Sequence, residues 1–126
     1  MKVLQVIETA YRCNLEEQDD PAVWITHAMK GAGADLGVLL TGNAVNYAVK
    51  AQDASGLSFG GKVQAQPPNI ARDVAKLVDK GIEVHLVSDD AAARGIESSD
   101  LIEGVKPITR RELAALYDAH DQVWNW

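Results

Sequence analysis

"LGVLLTGNAVNYAVKAQ", residues 36–52, decides the fold. The run from Leu36 to Leu40 is almost continuously apolar, as expected of a strand covered on both faces; a strand with one wet face would alternate. Thr41-Gly42-Asn43 supplies turn chemistry, and the stretch 43–52 reads as a helix. A doubly buried strand, a tight turn and a helix make one unit of a parallel sheet with helices packed on it.

The same unit recurs on either side. "KVLQVIE", residues 2–8, reads as the first strand. Asp20 and Pro21 then start a helix, with a side-chain acceptor at the cap and a ring at the first helical position. Trp24, Ile25, Ala28 and Ala32 recur at helical spacing and predict its inward face, with His27 and Lys30 outward. Residues 53–66 show no sustained period. Pro67 and Pro68 open a helix with Ile70, Val74, Leu77 and Val78 on one face, which Gly81 closes. "IEVHLVS", residues 82–88, is a third strand with His85 and Val87 facing away from Ile82, Val84 and Leu86. A short helix over "DDAAARG", a brief "VKPI" strand and a helix opened by the Thr109/Glu112 capping box follow, with Leu113, Leu116 and Tyr117 inward. "QVWNW" ends the chain as a last strand. The expectation is a three-layer α/β/α sandwich with a mostly parallel five-stranded sheet, about five helices, and one domain spanning residues 1–126.

Composition narrows the partners. With 47% hydrophobic and 24% charged residues the chain reads as an ordinary globular one, and no apolar run approaches the roughly 18 residues that span a membrane. The start alternates with Gln and Glu and lacks a small-residue cleavage site, so it reads as a strand rather than a signal peptide. A single cysteine permits no intrachain disulfide, which points to the cytoplasm. The net charge of −6, with no basic cluster, opposes a nucleic-acid backbone. No membrane, nucleic acid, metal or cofactor is expected.

Ligands of open parallel sheets bind beyond the carboxyl ends of the strands. That rule nominates the loop from Thr9 to Asp20, the turn Thr41-Gly42-Asn43, the turn Ser88-Asp89-Asp90 and the final Asn125-Trp126. Cys13 lies in the first. Arg12 favours its thiolate, whereas Glu16, Glu17, Asp19 and Asp20 disfavour it, so Cys13 reads either as a reactive thiol or as a small packed residue. Asp89 and Asp90 read as caps of the short helix with Arg94 compensating their charge, or as part of a polar site in which Asp90 and Arg94 meet a small ligand. "GLSFGGK", residues 56–62, has phosphate-loop spacing, but Val63 stands where that motif needs a hydroxyl, so it reads as a surface loop or subunit contact. His27, His85 and His120 are scattered without metal-ligand spacing. Trp124 and Trp126 read as sealing the core or an interface, which favours an oligomer.

"LLTGNAVNYAVKAQ", "LVDKGIEVHLVSDDAAARGI" and the tryptophan-ended last strand together resemble the DsrE/DsrF-like (DsrEFH-like) sulfur-relay family, over nearly the whole chain. The resemblance implies that α/β fold, a homo-oligomer such as a trimer or hexamer, and persulfide transfer with sulfur-relay partner proteins. Aligned from Arg94-Gly95-Ile96, Asp90 falls where active members often carry the cysteine, and Val87 where a second can occur. Aspartate cannot form a persulfide. Two readings follow: a relay-like carrier whose catalytic residue is Cys13, with Arg12, Thr41, Asn43, Ser88, Asp90 and Arg94 lining the pocket, or a non-catalytic oligomeric small-molecule-binding or scaffold protein keeping the family fold. A pocket enzyme acting through Asp90 is a third.

Overall fold

The computed structural model describes residues 1–12 and 19–126. Cys13, Glu16 and Glu17 fall outside the described residues.

The elements run β1 (Lys2–Ile7), α1 (Pro21–Gly31), β2 (Asp35–Leu40), a 3-10 helix (Gly42–Ala48), a hairpin of β3 (Ser58–Phe59) and β4 (Lys62–Val63), α2 (Ile70–Asp79), β5 (Glu83–Val87), α3 (Ser88–Ala93), β6 (Lys106–Ile108), α4 (Leu113–Asp118) and β7 (Gln122–Asn125), with short 3-10 turns at Ser98–Asp100 and Arg110–Glu112. The five-stranded sheet has the order β6-β5-β2-β1-β7, and its four pairings are all parallel. The molecule is a three-layer α/β/α sandwich. Because every strand points the same way, Ile7, Leu40, Val87, Ile108 and Asn125 end at one edge, and the polar residues that follow them gather there.

The two faces of the sheet are covered unequally. On one, Ile7, Val38, Leu40, Val84 and Leu86 pack against α1, the 3-10 helix, α2 and α3 through Val23, Val45, Tyr47, Val74, Leu77 and Ala91. On the other, Leu4, Val6, Leu39 and Val87 pack against Ile108, Leu113 and Leu116. Those six-residue strands and the alternation in β5 fix the register, since a one-residue slip would send His85 to the face of Val84 and Leu86.

Several expectations need correction. The buried face of α1 is Ala22, Val23 and Thr26; Trp24, Ala28 and Ala32 are exposed and Ile25 is half-buried. The helix carries two apolar stripes, and the one with smaller side chains lets it lie close to the sheet, with Thr26 satisfied by donating to the Ala22 carbonyl at 2.7 Å. His27, expected outward, is half-buried and bonds the Asp73 carbonyl of α2 at 2.8 Å. The helix expected over residues 43–52 is a 3-10 helix over Gly42–Ala48, and residues 49–52 lie outside it. Tyr117 is exposed, while Leu113 and Leu116 point inward. Residues 58–63 form a hairpin whose turn residues Gly60 and Gly61 have φ of 53° and 78°, values a two-residue hairpin turn requires and side chains resist. "GLSFGGK" is therefore a hairpin and no phosphate loop.

Candidate functional site

Asp90 is the centre of the carboxyl edge. It sits in the first turn of α3, directly beyond β5, and its side chain is 13% exposed. Its Oδ2 accepts the Thr41 hydroxyl at 2.9 Å and the Gly42 N–H at 2.8 Å. Its Oδ1 meets the Arg110 guanidinium at 2.5 Å. Three segments thus converge on one carboxylate: the turn after β2, α3, and the turn after β6. Burial pushes the Asp90 carboxyl up, but the Gly42 N–H, the Thr41 hydroxyl and the Arg110 charge outweigh it and hold the group below its ordinary value. Gly42 has φ of 55°, a conformation that side chains resist, and a Cβ there would sit 3.2 Å from Glu8 Cγ.

The capping expectation for Asp89 and Asp90 fails, because α3 starts at Ser88 with no side-chain cap. Asp89 instead accepts the Arg110 N–H at 2.7 Å. Arg94 does not pair with the Asp90 carboxylate either; it donates to the Asp90 backbone carbonyl at 3.0 Å and to Asn43 Oδ1 at 3.2 and 2.8 Å. Asn43 and Arg94 therefore tie the turn after β2 to α3 beside Asp90. Ser88 donates to the Ile108 carbonyl at 3.0 Å and ties β5 to β6.

Arg110 is the residue the sequence reading misses. It follows β6, a strand of only three residues, and the carboxyl-edge rule applied there would have nominated Thr109, Arg110 and Arg111. The Thr109/Glu112 capping box is present and sets the turn that presents Arg110, with Glu112 accepting the Thr109 N–H at 2.6 Å.

A second polar cluster is built from residues on either side of positions 13–18. Asp20 is fully buried and caps α1 by accepting the Ala22 and Val23 N–H groups at 2.8 and 3.1 Å. The Tyr47 hydroxyl donates to Asp20 at 2.6 Å and accepts the Tyr11 N–H. Burial, then the bond to Asp20 and its charge, push the Tyr47 phenol well above the usual tyrosine range. The backbones of Tyr11 and Arg12 hydrogen-bond the same oxygen. Tyr11 has φ of 56°, stacks edge-on against Tyr47 at 5.3 Å and donates to Gln52 at 3.2 Å. Arg12 is thus held at Tyr47, whereas Asp90 takes Thr41, Gly42 and Arg110 as its partners. Trp126 closes the edge beside β1, donating its indole N–H to Gln5 at 2.6 Å while its carbonyl accepts the Glu8 N–H at 3.0 Å. Among the described residues no group of three or more His, Cys, Asp or Glu side chains converges as a metal site. No helix is long and apolar enough to cross a membrane among the described residues.

The model of the DsrE/DsrF-like family matches residues 12–126. The chain belongs to the DsrE/DsrF-like family. The fold agrees: the crystal structure of the ychN protein of E. coli superposes with a TM-score of 0.77 at 24% identity, covering 99% of this chain and 98% of that one. MTH1491 of Methanobacterium thermoautotrophicum, described as a protein of unknown function, gives 0.63 at 14% identity over 99% and 98% of the two chains. No curated protein matches by sequence. This DsrE/DsrF-like chain thus carries, beyond β5, a carboxylate that is already fully engaged.

Proposed function

We propose that this chain is a non-catalytic, oligomeric DsrE/DsrF-like protein that binds a small molecule or serves as a scaffold, acting as one domain over residues 1–126 in the cytoplasm. One observation carries the reading. Asp90, in the position beyond β5, is held by Thr41, Gly42 and Arg110 in a cradle suited to an anion, and a carboxylate in that cradle cannot carry sulfur. The exposed rim residues Asn43, Arg94 and Arg110 offer polar contacts to a ligand above it. Homo-oligomerisation as a trimer or hexamer belongs to the same proposal, supported by the exposed apolar side chains Trp24, Phe59 and Trp124.

Chemical rescue tests the cradle. Removing the carboxylate in Asp90→Ala leaves Thr41, Gly42 and Arg110 without their partner and lowers Tm; by analogy with a buried charge-assisted hydrogen bond the loss is roughly 1–3 kcal/mol. Formate or acetate restores Tm in Asp90→Ala beyond the effect of equal chloride, and the double variant with Arg110→Gln loses that gain. Equal responses to formate and chloride would refute an anion cradle.

The alternative is a sulfur-relay carrier that uses Cys13 and passes persulfide to partner proteins. Its support is that Tyr47 bonds described residues on both sides of Cys13 in the sequence, Tyr11 and Arg12 before it and Asp20 after it.

A further inference from the structure

The thinly covered face of the sheet holds two histidines that neither reading uses. His85 shares this face with Leu39 of β2 and Lys106 of β6, its register neighbours. Both of its ring nitrogens are buried without a hydrogen-bond partner among the described residues, as is His120 Nε2. Most buried polar atoms are paired, so three bare nitrogens on one face call for a reason.

The geometry fixes the tautomer of a neutral His120 ring. His120 Nδ1 lies 2.7 Å from the Leu116 carbonyl. A carbonyl only accepts, so Nδ1 carries the hydrogen and Nε2 of the neutral ring is a bare lone pair. That nitrogen lies against the backbone of β2, and a Cβ at Gly37 would come within 2.7 Å of it. The ring of His120 therefore fits only over a glycine. Glu83 stands 3.7 Å from His85 Nε2, beyond hydrogen-bond length, because its other oxygen is drawn to Lys106 at 3.0 Å.

We propose that His85 and His120 form an acid-sensitive latch that holds α4 and β7 on the sheet, closed while His85 is neutral and released when His85 takes up a proton. A charged imidazole needs acceptors or water for both N–H groups. Around His85, Glu83 of its own strand favours the charge, whereas Lys106 of β6 and His120 of the α4–β7 link oppose it. Lys2 of β1 and Asp35 of β2 sit on the same face at the opposite edge from Asp90, and Asp121 of the link accepts the Lys2 N–H at 2.6 Å. Water reaches His85 by displacement of α4 and the link, which are the weakest cover available: α4 is six residues long and every residue of β7 is exposed. Opening of this kind draws on the least stable part of a fold.

The sign follows from burial, which holds His85 below its ordinary histidine value. The unfolded or opened chain then binds a proton that the closed one does not. Stability of the closed state is fully present above the ordinary value, about 6.5, and falls as pH drops below it toward the depressed folded value.

Hydrogen exchange followed by mass spectrometry, corrected for the pH dependence of the chemical step, tests the latch on the whole chain. Between about pH 7.5 and about pH 5.5 the amides of residues 113–125 should open about tenfold more readily, while those of β1 and β2 stay protected. His85→Leu should abolish the response. Unchanged protection of residues 113–125, loss of protection everywhere at once, or a wild-type response in His85→Leu would overturn the proposal. Should His85→Leu fail to fold, imidazole NMR of the wild-type chain decides: a His85 ring titrating at or above about 6.5 overturns it.

Discussion

The two faces of one sheet differ in kind. Beneath α1, the 3-10 helix, α2 and α3 the packing is apolar and closed, and the one buried carboxylate among the described residues, Asp20, has partners for both oxygens. Beneath α4 the cover is two half-buried leucines, and two imidazoles lie there with nitrogens that have no hydrogen-bond partner among the described residues. The same strands serve both faces, so the difference comes from how much helix each crossover supplies. The deep face fixes the fold and positions the carboxyl edge, and the thin face is where the molecule can open.

Mutations can break that comparison. The largest effect is expected for Leu77→Ala, where a fully buried α2 side chain on the deep face is lost; urea unfolding should show a loss of about 2–5 kcal/mol. Tyr47→Phe comes next. It strips one buried hydrogen bond from Asp20 and the acceptor from the Tyr11 N–H, and should cost about 1–3 kcal/mol with the sheet intact. Leu116→Ala on the thin face should cost only about 1 kcal/mol, because the side chain is half-buried and removes less apolar surface from water than Leu77 does. Equal losses for Leu77→Ala and Leu116→Ala would remove the distinction between the faces.

Much of this was legible in the residues. The run Leu36–Leu40 and the alternation around His85 placed the central strands, because burial on two faces and on one leave different periods. Asp20 and Pro21 placed the start of α1, because capping is local chemistry. The face of α1 was not legible, since two apolar stripes compete and only the sheet chooses between them. The hairpin at 58–63 was hidden because strands of two residues are too short to show a period. At the site, Thr41, Asn43, Asp90 and Arg94 do come together, while Ser88 turns to β6 and Arg12 to Tyr47. Arg110 was missed because its strand is three residues long, and its approach to Asp90 is a tertiary contact that no spacing announces.

The central proposal is that the chain does not carry sulfur and instead holds the Asp90 carboxylate in the cradle of Thr41, Gly42 and Arg110. The most direct measurement is intact-protein mass spectrometry of the wild-type chain and Cys13→Ser after incubation with a persulfide donor. The account predicts no stable one-sulfur adduct on either protein. An adduct on the wild-type chain that maps to Cys13 and disappears in Cys13→Ser would contradict it and establish the relay reading instead.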